Sequence, residues 1–219
     1  MVITIDGTSG SGKTFAGTEL AKALNCAFLS SGEIYRAIAL VAINNNADLA
    51  NENNLIKALQ KSKIEIKTEN NFGVFYINNE KISYNTLHSP EISSVSAKIS
   101  PFTKIREFAR SLQHHFADNS ANLVIEGRDI GSVVFPNADI KFYLTANLKT
   151  RAERRLKEFK EAGKQITYKE VYSSLKKRDF LDKSRELGKL VIPKGAIKIN
   201  TTSLSKKEVK SKLLSAIKK

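Results

Sequence analysis

The segment Gly7-Thr8-Ser9-Gly10-Ser11-Gly12-Lys13-Thr14 stands between two different patterns. Before it runs the β-branched stretch Val2-Ile3-Thr4-Ile5, which stops at Asp6-Gly7; after it a helical pattern extends from about Lys13 to Leu24. A strand that must become a helix across so short a stretch leaves few folds open, and the G-x-x-x-x-G-K-[ST] spacing narrows them further. Glycines at those places let successive backbone N–H groups converge on phosphate oxygens, and the helix start adds about half a positive charge. In such a loop Lys13 neutralises β- and γ-phosphates as a point charge, and the Thr14 hydroxyl ligates Mg2+. The alternative, a flexible Gly/Ser turn, does not require that spacing directly after a strand.

The rest of the chain alternates. Ala27-Phe28-Leu29 reads as a second buried strand, and Ser30 with Glu33 has the form of a capping box before the apolar helix Ile34–Ile43. Asn44–Asn54 reads as a loop, followed by a short helix around Leu55–Gln60. Ile64-Glu65-Ile66-Lys67, Val74-Phe75-Tyr76-Ile77 and Lys81-Ile82, broken at Asn70-Asn71, Gly73 and Asn78-Asn79, predict a small antiparallel meander. Helical spacing returns over Phe102–Phe116. Strands are expected at Asn122–Ile125, Ile140–Leu144 and Ala196–Asn200, and helices at Thr150–Ala162, Tyr168–Leu187 and Lys206–Ile217, with Gly163 between the first two. This order predicts an α/β fold with a mainly parallel sheet covered by helices.

At 219 residues, 41% hydrophobic, the chain can fill one core, and two independent domains would be cramped. A single cysteine, Cys26, excludes an intramolecular disulfide and points to a reducing, cytoplasmic setting. The longest apolar stretch, Ala37 to Ile43, is far short of a membrane span, so no membrane association is expected. The formal charge is +14, yet residues 1–140 hold 13 basic and 14 acidic side chains against 23 and 8 in residues 141–219. Lys206, Lys207, Lys210, Lys212 and Lys218 follow helical spacing without interleaved aromatics. They read as solvated helix faces, and no nucleic-acid partner is required.

Several side chains carry chemistry. Glu126 and Asp129 leave the carboxyl end of a buried strand, the edge where open α/β sheets bind ligands, and Mg2+ takes such oxygens. A plain loop ion pair between Arg128 and Asp129 is the alternative. Arg151, Arg154 and Arg155 share one side of a helix; an anion would relieve their repulsion, and Gly163 would hinge the segment as a lid. Glu153 and Glu158 support the other reading, a solvated basic helix. Arg178, Asp182 and Arg185 fall at i, i+4 and i+7 with Asp179 beside them, and on spacing alone read as an exposed salt-bridge ladder. His88, His114 and His115 are the only histidines; Ser89-Pro90 reads as turn chemistry, and no catalytic histidine is expected.

Taken in order, Gly7–Thr14, Ser31-Gly32-Glu33-Ile34-Tyr35-Arg36, Ile125-Glu126-Gly127-Arg128-Asp129-Ile130-Gly131-Ser132-Val133-Val134-Phe135-Pro136 and Lys177-Arg178-Asp179-Phe180-Leu181-Asp182-Lys183-Ser184-Arg185 resemble the bacterial cytidylate (CMP) kinases over nearly the whole chain. The resemblance implies a P-loop NTPase fold: a central parallel five-stranded sheet with helices on both faces, a small antiparallel three-stranded insert and a helical lid. It implies one domain, 1–219, with a core (about 1–30, 101–150 and 169–219), a nucleoside-monophosphate insert (about 31–100) and a lid (about 151–168).

It further implies a monomeric, cytoplasmic enzyme that moves the γ-phosphoryl group of ATP to CMP or dCMP with Mg2+. Gly7, Thr8, Ser9, Gly10, Ser11, Gly12, Lys13 and Thr14 would hold ATP, and Thr14 with Glu126, through water, the metal. Ser31, Tyr35 and Arg36 would hold the acceptor, with Arg128 also on its phosphate and Asp129 with Arg106 facing the base. Arg178, Asp182 and Arg185 would serve ribose and phosphate, and Arg151, Arg154 and Arg155 would be lid arginines. Three positions depart from the family pattern, Ser30, Ala97 and Phe15, and none removes a phosphate or metal contact. Two other readings compete: another small-molecule P-loop kinase, acting on UMP, a nucleoside or shikimate, and a basic RNA-associated protein with no nucleotide turnover.

Overall fold

Strands form where β-branched and apolar runs stand, and helices where apolar residues recur every three or four positions. The structure, a computed structural model, describes residues 1–161, 163 and 165–217. In chain order the elements are β1 (Val2–Gly7), α1 (Lys13–Leu24), β2 (Ala27–Ser30), α2 (Ser31–Asn44), α3 (Glu52–Gln60), β3 (Ile64–Glu69), β4 (Phe72–Ile77), β5 (Glu80–Lys81), α4 (Tyr84–Leu87), α5 (Pro90–Ile99), α6 (Thr103–Asp118), β6 (Leu123–Gly127), a π-helical turn (Ile130–Val134), β7 (Ile140–Thr145), α7 (Leu148–Glu161), α8 (Tyr168–Ser184), β8 (Ile197–Asn200) and α9 (Lys206–Ile217). The expected helix end at Ala162 and the lysine at 218 lie outside the described residues.

The chain divides into two units, Met1–Leu24 with Val124–Lys219, and Asn25–Leu123. In the first, the strand order is β6-β1-β7-β8; β1 pairs parallel with β7, and β7 with β8. Ile3, Ile5, Val124, Ile125, Phe142 and Leu144 are fully buried there, as strands covered on both faces require. Helices α7 and α8 pack through Ala152, Val171 and Leu175. The start of α8 is a capping box, in which Thr167 accepts from the Glu170 amide and Glu170 accepts from Thr167.

In the second unit β3 and β4 form an antiparallel hairpin, and β5 pairs with β4. Both turns are Asn-Asn at positive φ, Asn70 (48°) with Asn71 (69°) and Asn78 (51°) with Asn79 (70°), the two-residue geometry that matches strand twist. The small antiparallel meander forms as expected, and β4 also pairs parallel with β2, Phe28 opposite Phe72 with their rings edge to face at 6.0 Å. The expected loop Asn44–Asn54 is shorter than its Asn content indicates, because Asn51 caps α3 by accepting from the Asn53 and Asn54 amides.

The Ser30–Glu33 capping box is a correction. Ser30 is the N-cap of α2 without a side-chain cap bond, and Glu33 Oε1 lies instead 3.2 Å from His88 Nε2. Ser89-Pro90 opens α5 rather than making a turn: Ser89 accepts from the Ile92 amide and Pro90 occupies the first turn, where a missing N–H costs nothing. Among the described residues no helix is long and apolar enough to cross a membrane.

Candidate active site

Gly7 ends β1 opposite Leu144 of β7, and the loop begins at this close approach. A Cβ at Gly7 would stand 2.0 Å from the Leu144 carbonyl oxygen, at φ +152°, so no other residue fits. The loop then folds onto one carbonyl: Thr8 O accepts from Ser11 N (3.3 Å), Ser11 Oγ (2.9 Å) and Lys13 Nζ (2.9 Å). Two further carbonyls are tied by side chains from later in the chain. Arg151 Nη1 donates to Ser9 O at 2.9 Å, and Thr201 Oγ1 donates to Ser11 O at 3.1 Å. A trans peptide points its N–H opposite to its C=O, so anchoring these two oxygens turns the Gly10 and Gly12 amides the other way. Loop amides held in this manner at the start of α1 make an anion cradle.

Lys13 is buried at 6% exposure. Burial, followed by the charge of Arg128, pulls its ammonium down to about 7. The charges of Glu126 and Asp182 pull the other way without offsetting the burial. Thr14 Oγ1 donates to Glu126 Oε1 at 3.1 Å, which brings together the two residues expected to hold the metal. Among the described residues no three His, Cys, Asp or Glu side chains gather as a metal cluster. What the chain offers is one hydroxyl and one carboxylate, hard oxygens of the kind Mg2+ combines with phosphate oxygens and water. The donor set therefore fits Mg2+ held mostly by its nucleotide.

Around the end of β6 the charges interlock. Arg128 Nε donates to Asp182 Oδ2 at 2.8 Å, and Arg185 Nη2 lies 2.6 Å from Asp182 Oδ1. Burial pushes the Asp182 carboxyl up, but the guanidiniums of Arg128 and Arg185 outweigh it and leave it below its usual range. The expected i, i+4, i+7 stripe is corrected: α8 ends at Ser184, and Arg185, in extended backbone, reaches back to Asp182. Nor is it an exposed ladder, since Asp182 is 1% exposed. Asp129, also buried, precedes the π-helical turn, whose Val133 and Val134 amides both donate to its carbonyl.

The three arginines of α7 part company. Arg151 is buried, donates to Ala146 O, and forms a two-pronged pair with Asp179 at 3.1 and 2.6 Å. Arg154 donates to Thr201 Oγ1 at 3.1 Å and Thr201 O at 2.5 Å, and burial lowers its guanidinium. Arg155 is exposed, pairing with Glu158 at 2.8 Å over the Phe159 ring. Asp179 stood beside the helical stripe but its pairing with Arg151 had no signal in spacing, and neither had Thr201; the fold brings these contacts about.

In the second unit, Ser31 opens α2 and its Oγ accepts from buried Gln113 Nε2 at 2.9 Å. Arg36 donates to Leu87 O at 3.0 Å and Ser93 Oγ at 2.6 Å. Arg106 donates to Ser100 O at 3.2 Å, with its guanidinium 5.9 Å from the centre of the Tyr35 ring.

A strand, a glycine loop with a buried lysine and a following helix define the class: this is a P-loop kinase fold. Solved structures share it at low identity, shikimate kinase from Bacteroides thetaiotaomicron (TM-score 0.51, 11% identical, covering 100% of this chain and 99% of that one) and a gluconokinase from Sinorhizobium meliloti (TM-score 0.50, 14% identical, 99% and 91%). The family model described as Cytidylate kinase matches residues 3–219. The chain is 39% identical over 217 residues to cytidylate kinase of Caldanaerobacter subterraneus (99% of this chain, 94% of the relative) and 35% identical over 219 residues to cytidylate kinase 1 of Haemophilus influenzae (100% and 94%). The chain belongs to the cytidylate kinase family.

Proposed function

We propose that this chain transfers the γ-phosphoryl group of ATP to CMP and dCMP, yielding ADP with CDP or dCDP. The observation that carries the reading is the loop Gly7–Thr14, with Ser9 and Ser11 carbonyls tied by Arg151 and Thr201 and a lysine buried beside it. An oxygen of the acceptor's phosphate attacks the γ-phosphorus in line, while the bond from that phosphorus to the bridging oxygen of ADP breaks. Positioning and charge neutralisation do the catalysis, and no general base is needed.

Lys13 and the loop amides hold the triphosphate. Arg151, Arg154 and Arg155 serve the transferred group, with Arg151 also fixing Ser9. Ser31, Tyr35 and Arg36 hold the acceptor nucleotide, and Arg128 its phosphate; Arg178, Asp182 and Arg185 serve ribose and phosphate. Asp129 with Arg106 faces the base. Cytosine offers an amino donor beside N3 and O2 acceptors, which a carboxylate and a guanidinium complement, whereas uracil presents the wrong edge to Asp129. Thr14, and Glu126 through water, would hold Mg2+, which when bound offsets charge on the phosphate oxygens. The division into core, insert (about 31–100) and lid (about 151–168) belongs to the same reading, as does action as a cytoplasmic monomer without a nucleic-acid or membrane partner.

A coupled assay of ATP consumption with CMP, dCMP, UMP, nucleosides and shikimate tests this. CMP and dCMP are expected to lead, and Lys13→Ala to lower kcat/KM by at least about 100-fold with its circular dichroism unchanged. Preference for another acceptor, or an undiminished Lys13→Ala enzyme, overturns the reading.

A further inference from the structure

The alternation of β1 places Thr4 and Asp6 on one face of the strand, opposite Ile3 and Ile5. Asp6 is fully buried, and both of its oxygens are used: Oδ1 accepts from the Ile130 amide and Oδ2 from the Gly131 amide, each at 2.7 Å. These amides open the π-helical turn directly after Arg128 and Asp129. The fit around them is close. A Cβ at Gly131 would stand 2.6 Å from Thr4 Oγ1, 3.1 Å from Asp6 Oδ2 and 3.2 Å from Pro193 Cγ. Nothing larger than glycine can take the second amide to the carboxylate.

We infer that Asp6 is a positioning residue for the acceptor: its carboxylate clamps the Ile130 and Gly131 amides and thereby fixes Arg128 and Asp129, the two residues just before them. The inference rests on the proposed CMP kinase reading, which assigns Arg128 to the acceptor phosphate and Asp129 to the base. A carboxylate accepting two amides at once leaves the turn no freedom to rotate about a single bond, and a buried charge–amide bond is roughly twice as strong as a neutral one. Arg128 is then held from two sides, by the clamped backbone and by Asp182 at 2.8 Å.

Asp6→Asn keeps the shape but offers one oxygen and one NH2, so a donor faces one of the two amides. The expected result is a KM for CMP raised about tenfold, with KM for ATP within about twofold of wild type. Gly131→Ala pushes the turn off the carboxylate without changing charge, and is expected to show the same split. Amide exchange in segment 128–134 should quicken about tenfold in both variants. Equal KM for CMP in wild type and both variants overturns the inference, as does a parallel rise for ATP and CMP. If Asp6→Asn does not fold, Gly131→Ala and the wild-type exchange decide, and Ile130 and Gly131 amides that exchange like an open loop overturn it. A wild-type chain inactive on CMP removes the proposed function, and this inference falls with it; an active wild type with unmoved variants removes the inference alone.

Discussion

At Gly7–Thr14 the path of the chain is set by backbone: a glycine where β1 meets β7, and a turn closed on the Thr8 carbonyl. At α7–α8 it is set by side chains, the small core of Ala152, Val171 and Leu175 and the Arg151–Asp179 pair. Both regions belong to one unit, and Arg151 serves both. The difference is one of tolerance. A backbone-built loop has no slack for one added methyl group, whereas a side-chain-built helix pair can lose a surface contact and keep its shape.

Gly7→Ala is the strongest test. The methyl group would lie 2.0 Å from the Leu144 oxygen, so strand pairing must open. The variant should lose about 4 kcal/mol or more in urea unfolding; a loss under about 1 kcal/mol would show that the loop has slack after all.

Next in size is the cost of Asp6 at the foot of the loop. Its carboxyl is pushed up to about 6, by burial first and by Asp129, against the pull of the Gly131 and Ile130 amides and Lys13; Tyr143 also senses its charge. The folded chain keeps this proton up to about 6, while the unfolded chain releases it near 3.8. Stability contributed by the protonated form is therefore present at low pH and lost as pH rises through 6. Relative to Asp6→Asn, wild type should lose about 2 kcal/mol between about pH 4.5 and about pH 7.5. A difference that does not change with pH means the carboxylate is not buried as described. The ionised clamp thus costs stability, which fits a residue kept for position.

This contrast also explains what was legible in the chain. The loop and the Asn-Asn turns are local: glycine and asparagine adopt the needed φ wherever they stand, so their spacing alone announces them. Strand and helix alternation was legible for the same reason. Helices α4 and α5 were not, since each is short and opens on a serine cap, and Ser89-Pro90 has the composition of a turn. Contacts between distant residues left no trace in spacing: Gln113 to Ser31 spans 82 positions and Asp6 to Ile130 spans 124. The same holds for the arginines of α7, whose common helical face predicts a common environment. The fold gives them three, because Asp179 and Thr201 each claim one and Arg155 faces Glu158 on its own helix.

Arg151 and Asp179 sharpen the comparison from the helix side. Their side chains are 5% and 16% exposed, and removing either leaves the other charge largely out of water. A double-mutant cycle with Arg151→Ala and Asp179→Asn should return a coupling of about 1.5 kcal/mol. Arg151→Ala should also weaken ATP binding, because the Ser9 carbonyl loses its donor. Coupling near zero would make the pair ornamental to the helices.

Arg155 sits at the other end of the scale and separates structure from chemistry. Its guanidinium is about half exposed, paired only three residues along its own helix and lying over Phe159 at 4.6 Å. Exposed pairs of that kind contribute a few tenths of a kcal/mol, so Arg155→Ala should move unfolding by no more than about 0.5 kcal/mol. If it serves the transferred group as proposed, kcat should nonetheless fall, by about tenfold or more, since an arginine that meets charge only in the transition state acts on kcat and leaves folding alone. Unchanged kcat in a stable Arg155→Ala enzyme would return this arginine to the solvated helix face that Glu153 and Glu158 also allow. A variant that loses stability and activity together would instead make the third arginine resemble the first, and the division between backbone-built and side-chain-built regions would have to be redrawn inside α7.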